Sequence, residues 1–169
     1  YHMILIAMTE NARREINRIM STANTDGYYY KPRIDLNLLL SLPGDEVVVT
    51  TACIAGRMFK DGWKENFLQP MLNHFKGNFF LELQDHGIPE QQMANQALIR
   101  MSAETGIPLV ATNDVHYTYD NDVEPHDLLL CIQTGKKQAD EDRMRYEGGQ
   151  YYVKSEEEMK GLFMYAWEA

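Results

Sequence analysis

Short apolar runs alternate along this chain with stretches in which apolar residues recur every three or four positions. That is the pattern of strands alternating with amphipathic helices, and it predicts an α/β fold. Residues 3–7 read as a buried strand. Thr9 is placed to cap a helix carrying Ala12, Ile16, Ile19, Met20 and Ala23 on one face. Glycine at 27 and proline at 32 interrupt that pattern. Residues 47–51 are β-branched throughout and predict the next strand. The stretch 58–73 is polar and aromatic, with a helix expected from about Lys64, and residues 79–83 predict a third strand.

Pro89 suits the first turn of a helix reaching about Glu104, with Met93, Ala97 and Met101 stacked at four-residue spacing and Gly106 closing it. Residues 108–112 predict a fourth strand. Asn121 and Glu124 are spaced as a capping box before a helix holding Leu128 to Ile132. A charged, glycine-containing loop is expected over 133–150. Ser155 and Glu158 form a second box ahead of Met159, Leu162, Phe163 and Ala166. The chain opens in a strand and stops in a helix, so both ends look cut.

Composition narrows the function classes. With 44% hydrophobic and 24% charged residues over 169 positions, the chain has material for one ordinary globular core. No apolar run approaches the roughly 20 residues of a membrane-spanning helix, so no membrane partner is expected. Cys53 and Cys131 do not make a disulfide framework, and a reduced, cytoplasmic setting is expected. A net charge of −9 argues against a broad nucleic-acid surface, which needs clustered Lys and Arg. Phosphate-loop, nucleophile-elbow and Cys-x-x-Cys motifs are absent from the sequence.

The sharpest local signal is Asp114-x-His116 just past the fourth strand. Side chains two apart in extended chain point the same way, and a carboxylate with an imidazole suits a divalent transition metal; Asp114 capping a turn with His116 a satisfied surface or core side chain is the blander account. Cys53 holds the same position beyond the second strand, where a thiolate makes a soft ligand; a small buried hydrophobe is the blander account. Glu82, Asp85 and His86 flank the end of the third strand and suit either a second shell that orients ligands or solvated loop positions. His74 and His126 read as structural, and Cys131 as core. His2 precedes its strand, which in a strictly parallel barrel is the wrong end for chemistry.

Successive blocks resemble one known family in order. They include Thr51-Ala52-Cys53-Ile54-Ala55-Gly56, Phe80-Leu81-Glu82-Leu83-Gln84-Asp85-His86-Gly87 and Val110-Ala111-Thr112-Asn113-Asp114-Val115-His116-Tyr117. Residues 29–35, 126–136 and 151–159 extend the match, while 56–77 fits less well. The chain resembles the PHP (polymerase and histidinol phosphatase) region of the bacterial DNA polymerase III alpha family. The resemblance implies part of a distorted (β/α)-type PHP barrel over 1–169, truncated at both ends, with 140–169 leading toward the polymerase core.

It further implies metal ligands at His2, Cys53, Asp114 and His116, a multinuclear site for Zn, Mn or Mg, and no catalytic side chain. It restores His2 and requires that the first strand not run in the simple parallel sense. The family's His-x-His segment, a further histidine and an acidic ligand fall before Tyr1; the palm and its aspartates fall after Ala169. The expected function is therefore that of a piece of a replicative DNA-directed DNA polymerase, a nucleotidyltransferase. Its PHP domain would hydrolyse phosphodiesters as a 3′–5′ exonuclease, with the piece alone inactive. Its expected partners are DNA and deoxynucleotides through the parent, other replisome subunits, and a second copy through an unpaired strand edge. A structural, partner-binding module and a free-standing phosphoesterase of the histidinol phosphatase type are the alternatives.

Overall fold

The computed structural model describes residues 1–54, 56 and 64–166. It is a mixed α/β structure, as the alternating pattern predicted. Four strands, β1 (Ile4–Ala7), β2 (Val47–Thr50), β3 (Phe79–Leu83) and β4 (Leu109–Ala111), form a sheet in the order β1-β2-β3-β4. The helices are α1 (Glu10–Thr25), α2 (Leu36–Leu39), α3 (Gln69–Phe75), α4 (Pro89–Thr105), α5 (Val123–Thr134) and α6 (Glu156–Leu162). The chain divides into two compact units: Tyr1–Glu82 with Thr105–Pro108, and Leu83–Glu104 with Leu109–Ala169.

In the first unit, β1 pairs antiparallel with β2, Ile4 opposite Thr50 and Ala7 opposite Val47. β2 pairs parallel with β3, Val49 opposite Phe79. The purely parallel arrangement read from the residues alone is thus corrected at β1. A single long return through α1 and α2 leaves that strand free to enter the sheet from the opposite end. Thr9 caps α1 as expected, its hydroxyl accepting from the Ala12 N–H at 3.0 Å. Ala12, Ile19 and Ala23 are buried, while Met20, expected on that face, is exposed. Val47 and Val49 turn inward beside Phe79 and Leu81, all essentially inaccessible. Each such side chain contributes roughly 1.5–3 kcal/mol through burial.

The helix expected from about Lys64 begins there as one π-helical turn, Lys64–Leu68, before α3. Residues 58–63 of that expected stretch lie outside the described residues. His74 is structural, as expected: its Nε2 lies 2.7 Å from the Leu42 carbonyl oxygen. Glu82 is a buried carboxylate, only 1% exposed, in a strand of apolar neighbours. It accepts a hydrogen bond from the Thr50 hydroxyl. Its own N–H donates to Thr51 Oγ1 at 2.9 Å. A solvated loop position, one of the two expectations for Glu82, is therefore replaced by a pin between β2 and β3.

In the second unit α4 spans the expected residues but buries another face. Met93 is 65% exposed and Ala97 is exposed, whereas Gln91, Ala94, Asn95 and Leu98 are buried. The reason is polar: the Asn95 amide donates to the Gln84 carbonyl at 2.8 Å and to the Tyr165 hydroxyl at 3.0 Å. A buried amide with partners is tolerated, so the apolar stripe is free to face outward. The box expected at Asn121 and Glu124 is absent. The Asp122 carboxylate instead accepts from the Tyr119 N–H at 2.9 Å, and a 3-10 turn, Asp120–Asp122, runs directly into α5. Within α5 Leu130 and Cys131 are buried, but Leu128, Leu129 and Ile132 are exposed. The box at Ser155 and Glu158 is present, with the Ser155 N–H donating to Glu158 at 2.7 Å.

Replacing Glu82 by alanine strands the Thr50 hydroxyl without its acceptor. The expected cost is roughly 1–3 kcal/mol, read as a lower urea midpoint at unchanged slope. Glu82→Gln, which keeps an acceptor oxygen, should lose less; equal losses would mean the pin contributes only volume.

Candidate metal centre and its surroundings

The antiparallel entry of β1 has a direct chemical consequence. Its N-terminal end lies at the C-terminal end of β2, so residues before β1 and after β2 share one edge. His2 forms a bridge with Gly56. Between them the chain reverses at Ala52, a buried alanine at φ 55°, and closes with the Gly56 N–H donating to the Cys53 carbonyl at 2.8 Å. Gly56 is required there: a Cβ would stand 2.4 Å from the Thr51 carbonyl oxygen. The outcome is His2 Nδ1 at 3.3 Å from Cys53 Sγ. His2 also borders a cavity of about 290 Å³ with Ile34, Leu39 and Phe67.

In the second unit Asp114 and His116 follow β4 in irregular chain. The segment around Tyr151 holds them, since the Tyr151 carbonyl accepts from the His116 N–H at 2.8 Å and the Tyr117 N–H at 3.3 Å. The Asn113 amide donates to the Tyr152 carbonyl at 2.5 Å. Asp114 Oδ2 stands 3.3 Å from His116 Nε2, so the same-side placement expected from their spacing is observed.

The four candidate ligands thus form two donor pairs, one in each unit. Zinc–nitrogen and zinc–oxygen bonds of about 2.0–2.2 Å and zinc–sulfur bonds of about 2.3 Å put neighbouring donors roughly 3.3–3.6 Å apart around one ion. Both pairs have that separation, and both combine donor types that divalent transition metals accept. Among the described residues, neither unit gathers three His, Cys, Asp or Glu side chains into a metal-holding group.

Around His116 the second unit assembles rings that sequence reasoning did not single out. His116 lies 4.3 Å from the Tyr146 ring, 5.6 Å from Tyr151 and 5.9 Å from His126, centroid to centroid. His126, read as structural, belongs to this cluster, and Tyr117 joins it 5.2 Å from His126. The available signal was the density of tyrosines at 146, 151 and 152 beside a glycine pair.

His86 is 4% exposed and stacks on Tyr151 at 4.4 Å with ring planes 10° apart. Its Nε2 has no hydrogen-bond partner. Burial holds this imidazole below its ordinary range, while the Asp114 carboxylate pulls the other way. Asp85 is half-buried and turns back on itself, its carboxylate accepting from the Gly87 N–H at 2.9 Å. Burial also raises the Tyr151 hydroxyl and lowers the Lys154 ammonium.

The PHP domain family model matches residues 1–86, just over half of the 169. The chain belongs to the PHP domain family. It is 37% identical over 171 residues to the DNA polymerase III subunit alpha of Borreliella burgdorferi, covering 96% of this chain and 15% of that protein. The corresponding subunit of Treponema pallidum is 35% identical, with 96% of this chain and 14% of that protein covered. That of Deinococcus radiodurans is 36% identical, with 95% and 12% covered. This PHP chain therefore spans about one seventh or less of these relatives' length. Among the described residues, no helix is long and apolar enough to cross a membrane.

Two measurements test the surroundings of the PHP residues Asp114 and His116. Gly148 sits at φ 89°, and a Cβ there would stand 1.9 Å from the His86 carbonyl oxygen. Gly148→Ala should therefore cost more than about 1 kcal/mol, seen as a lower melting temperature. Second, the His86 imidazole binds its proton more weakly in the folded state than in the unfolded chain. Its contribution is complete above the ordinary histidine range and is lost as pH falls through the depressed folded value. The slope is at most about 1.4 kcal/mol per pH unit. His86→Phe keeps the stack and removes the proton, so its unfolding free energy should fall less steeply between about pH 7 and 5. Parallel slopes would contradict this.

Proposed function

We propose that this PHP chain is a section of a replicative DNA polymerase and that His2, Cys53, Asp114 and His116 bind divalent metal ions in the complete domain. The observation that carries the reading is the meeting of His2 with Cys53, 3.3 Å apart although 51 positions separate them in the chain. A soft thiolate beside an imidazole at an exposed strand edge suits zinc, and the Asp114–His116 pair of the second unit by itself suits manganese or magnesium. Such ions, when bound, supply an activated water and neutralise charge on a phosphoester. Asp114 and His116 would hold their donor atoms side by side, with the Tyr151 carbonyl fixing the His116 backbone. The reaction class is 3′–5′ phosphodiester hydrolysis in the service of DNA replication, with DNA, deoxynucleotides and other replisome subunits as partners of the parent enzyme. The 169 residues by themselves are expected to show no polymerase and little nuclease activity.

A second reading, a bracing and partner-binding module without catalysis, is favoured by the lack of any three-donor group among the described residues. A free-standing phosphoesterase is disfavoured by similarity to polymerase subunits over some 95% of the chain.

Cobalt(II) titration tests the metal reading. The chain should develop thiolate-to-cobalt absorption that Cys53→Ser abolishes. His2→Ala should weaken binding by about tenfold or more, because losing a ligand costs at least as much as losing the outer partner of one. Absorption unaffected by Cys53→Ser would overturn the assignment. In the full-length parent, metal below one equivalent would favour the bracing module.

A further inference from the structure

The second unit holds a cavity of about 440 Å³ lined by Tyr117, His126, Asp127, Arg143, Arg145 and Tyr146, with Val123, Leu130 and Glu147 completing the wall. Its size falls in the range of small-molecule sites, about 300–1,000 Å³. Two of the lining side chains hold the wall in place. The Arg143 guanidinium donates to both Asp127 oxygens, at 2.5 and 2.8 Å, and the Arg143 side chain is 6% exposed. That fork holds the Asp127 carboxyl below its usual range and neutralises both groups.

What remains to meet an occupant is chemically specific. Three rings surround the space: His126 lies 5.2 Å from Tyr117 and 5.2 Å from Tyr146. Arg145 is exposed and donates from Nη2 to the Asp140 carbonyl at 3.0 Å, leaving further donors of its fork for an anion. Glu147 supplies an acceptor suited to a base N–H or a sugar hydroxyl. Tyr146 is shared with the candidate centre, its ring 4.3 Å from that of His116. An occupant stacked on Tyr146 is thus a ring's width from the Asp114–His116 pair.

We propose that this cavity is a nucleotide subsite: it takes one base of a single-stranded nucleic acid against Tyr146 and His126, with Arg145 on the adjoining phosphate. Aromatic rings lining the cavity for the base and one exposed guanidinium for the phosphate match how unpaired strands are held without sequence preference. The inference rests on the reading of Asp114 and His116 as part of a phosphoester-processing centre, to which it adds the side chains that hold the strand. An acidic chain with net charge −9 has little general attraction for nucleic acid, so binding here depends on local stacking plus one cation.

The test is a titration of the full chain with a short 5′-phosphorylated oligothymidylate, in chelator so that metal occupancy plays no part. Tyr146→Ala should raise the dissociation constant by about 5- to 150-fold, and Tyr146→Phe should leave it nearly unchanged. Arg145→Ala, an exposed change that carries the test if Tyr146→Ala unfolds, should weaken binding and flatten the salt dependence by about one counterion. The proposal is overturned if Tyr146→Ala and Arg145→Ala both bind as the parent does. It is likewise overturned if an abasic strand, inorganic phosphate or an acidic peptide binds as tightly as the oligonucleotide. Oligonucleotide binding without Cys53-dependent cobalt absorption would retain this subsite and remove the metal reading; the reverse result would do the opposite.

Discussion

Antiparallel hydrogen bonding between Ile4–Ala7 and Val47–Thr50 places every candidate donor of the first unit. A parallel first strand would leave His2 at the far end of the sheet from Cys53, a full strand length away. Reversal of that one strand brings the chain before β1 and the chain after β2 to a common edge. The left-handed Ala52 and the tight Gly56 turn then fold the thiol back toward the imidazole. Such local strain is stable only when surrounding structure enforces it, and here the Thr50–Glu82 and Thr51–Glu82 hydrogen bonds anchor the strand end from which the turn departs.

The second unit solves a different problem. Asp114 and His116 lie in chain without regular structure, which would ordinarily leave their orientation open. They are held by a neighbouring backbone segment instead: the Tyr151 carbonyl takes two N–H groups, and the Val153 N–H returns a bond to the Thr118 carbonyl at 3.2 Å. That segment keeps its place because Gly148 passes against the His86 carbonyl where no side chain fits. Tyr151 covers the His86 ring. Rigid aromatic packing thus substitutes for secondary structure at this end of the molecule.

Membership of the PHP family and similarity to polymerase subunits agree with these features, and each bears on a different level. Family membership concerns the strand edge where His2 and Cys53 meet, within the matched residues 1–86. The polymerase relatives match across Asp114, His116 and the ring cluster as well, yet this chain spans only 12 to 15% of their length. Catalysis and replisome contacts are therefore properties proposed for the parent, while the donor pairs and the cavity belong to the chain itself.

Strand and helix positions were legible in the sequence because they depend on neighbours. Consecutive β-branched residues at 47–50, a threonine cap at 9, and Ser155 with Glu158 each act within one turn or one strand. The Asp114–His116 pairing was legible for the same reason, being two residues apart. Which face of α4 is buried was not, because Asn95, with Gln91 bonded to it, outcompeted the apolar Met93 and Ala97, and the partners of Asn95, Gln84 and Tyr165, lie outside the helix. The ring cluster around His116 was hidden likewise, its members being scattered from 86 to 151. By itself the sequence determined the kinds of element and the donor types. The residues read alone left out the reversal of the first strand, which the family resemblance required and the tertiary structure brought about together with the meeting of His2 and Cys53, since strand direction follows from long-range backbone pairing that no local pattern encodes.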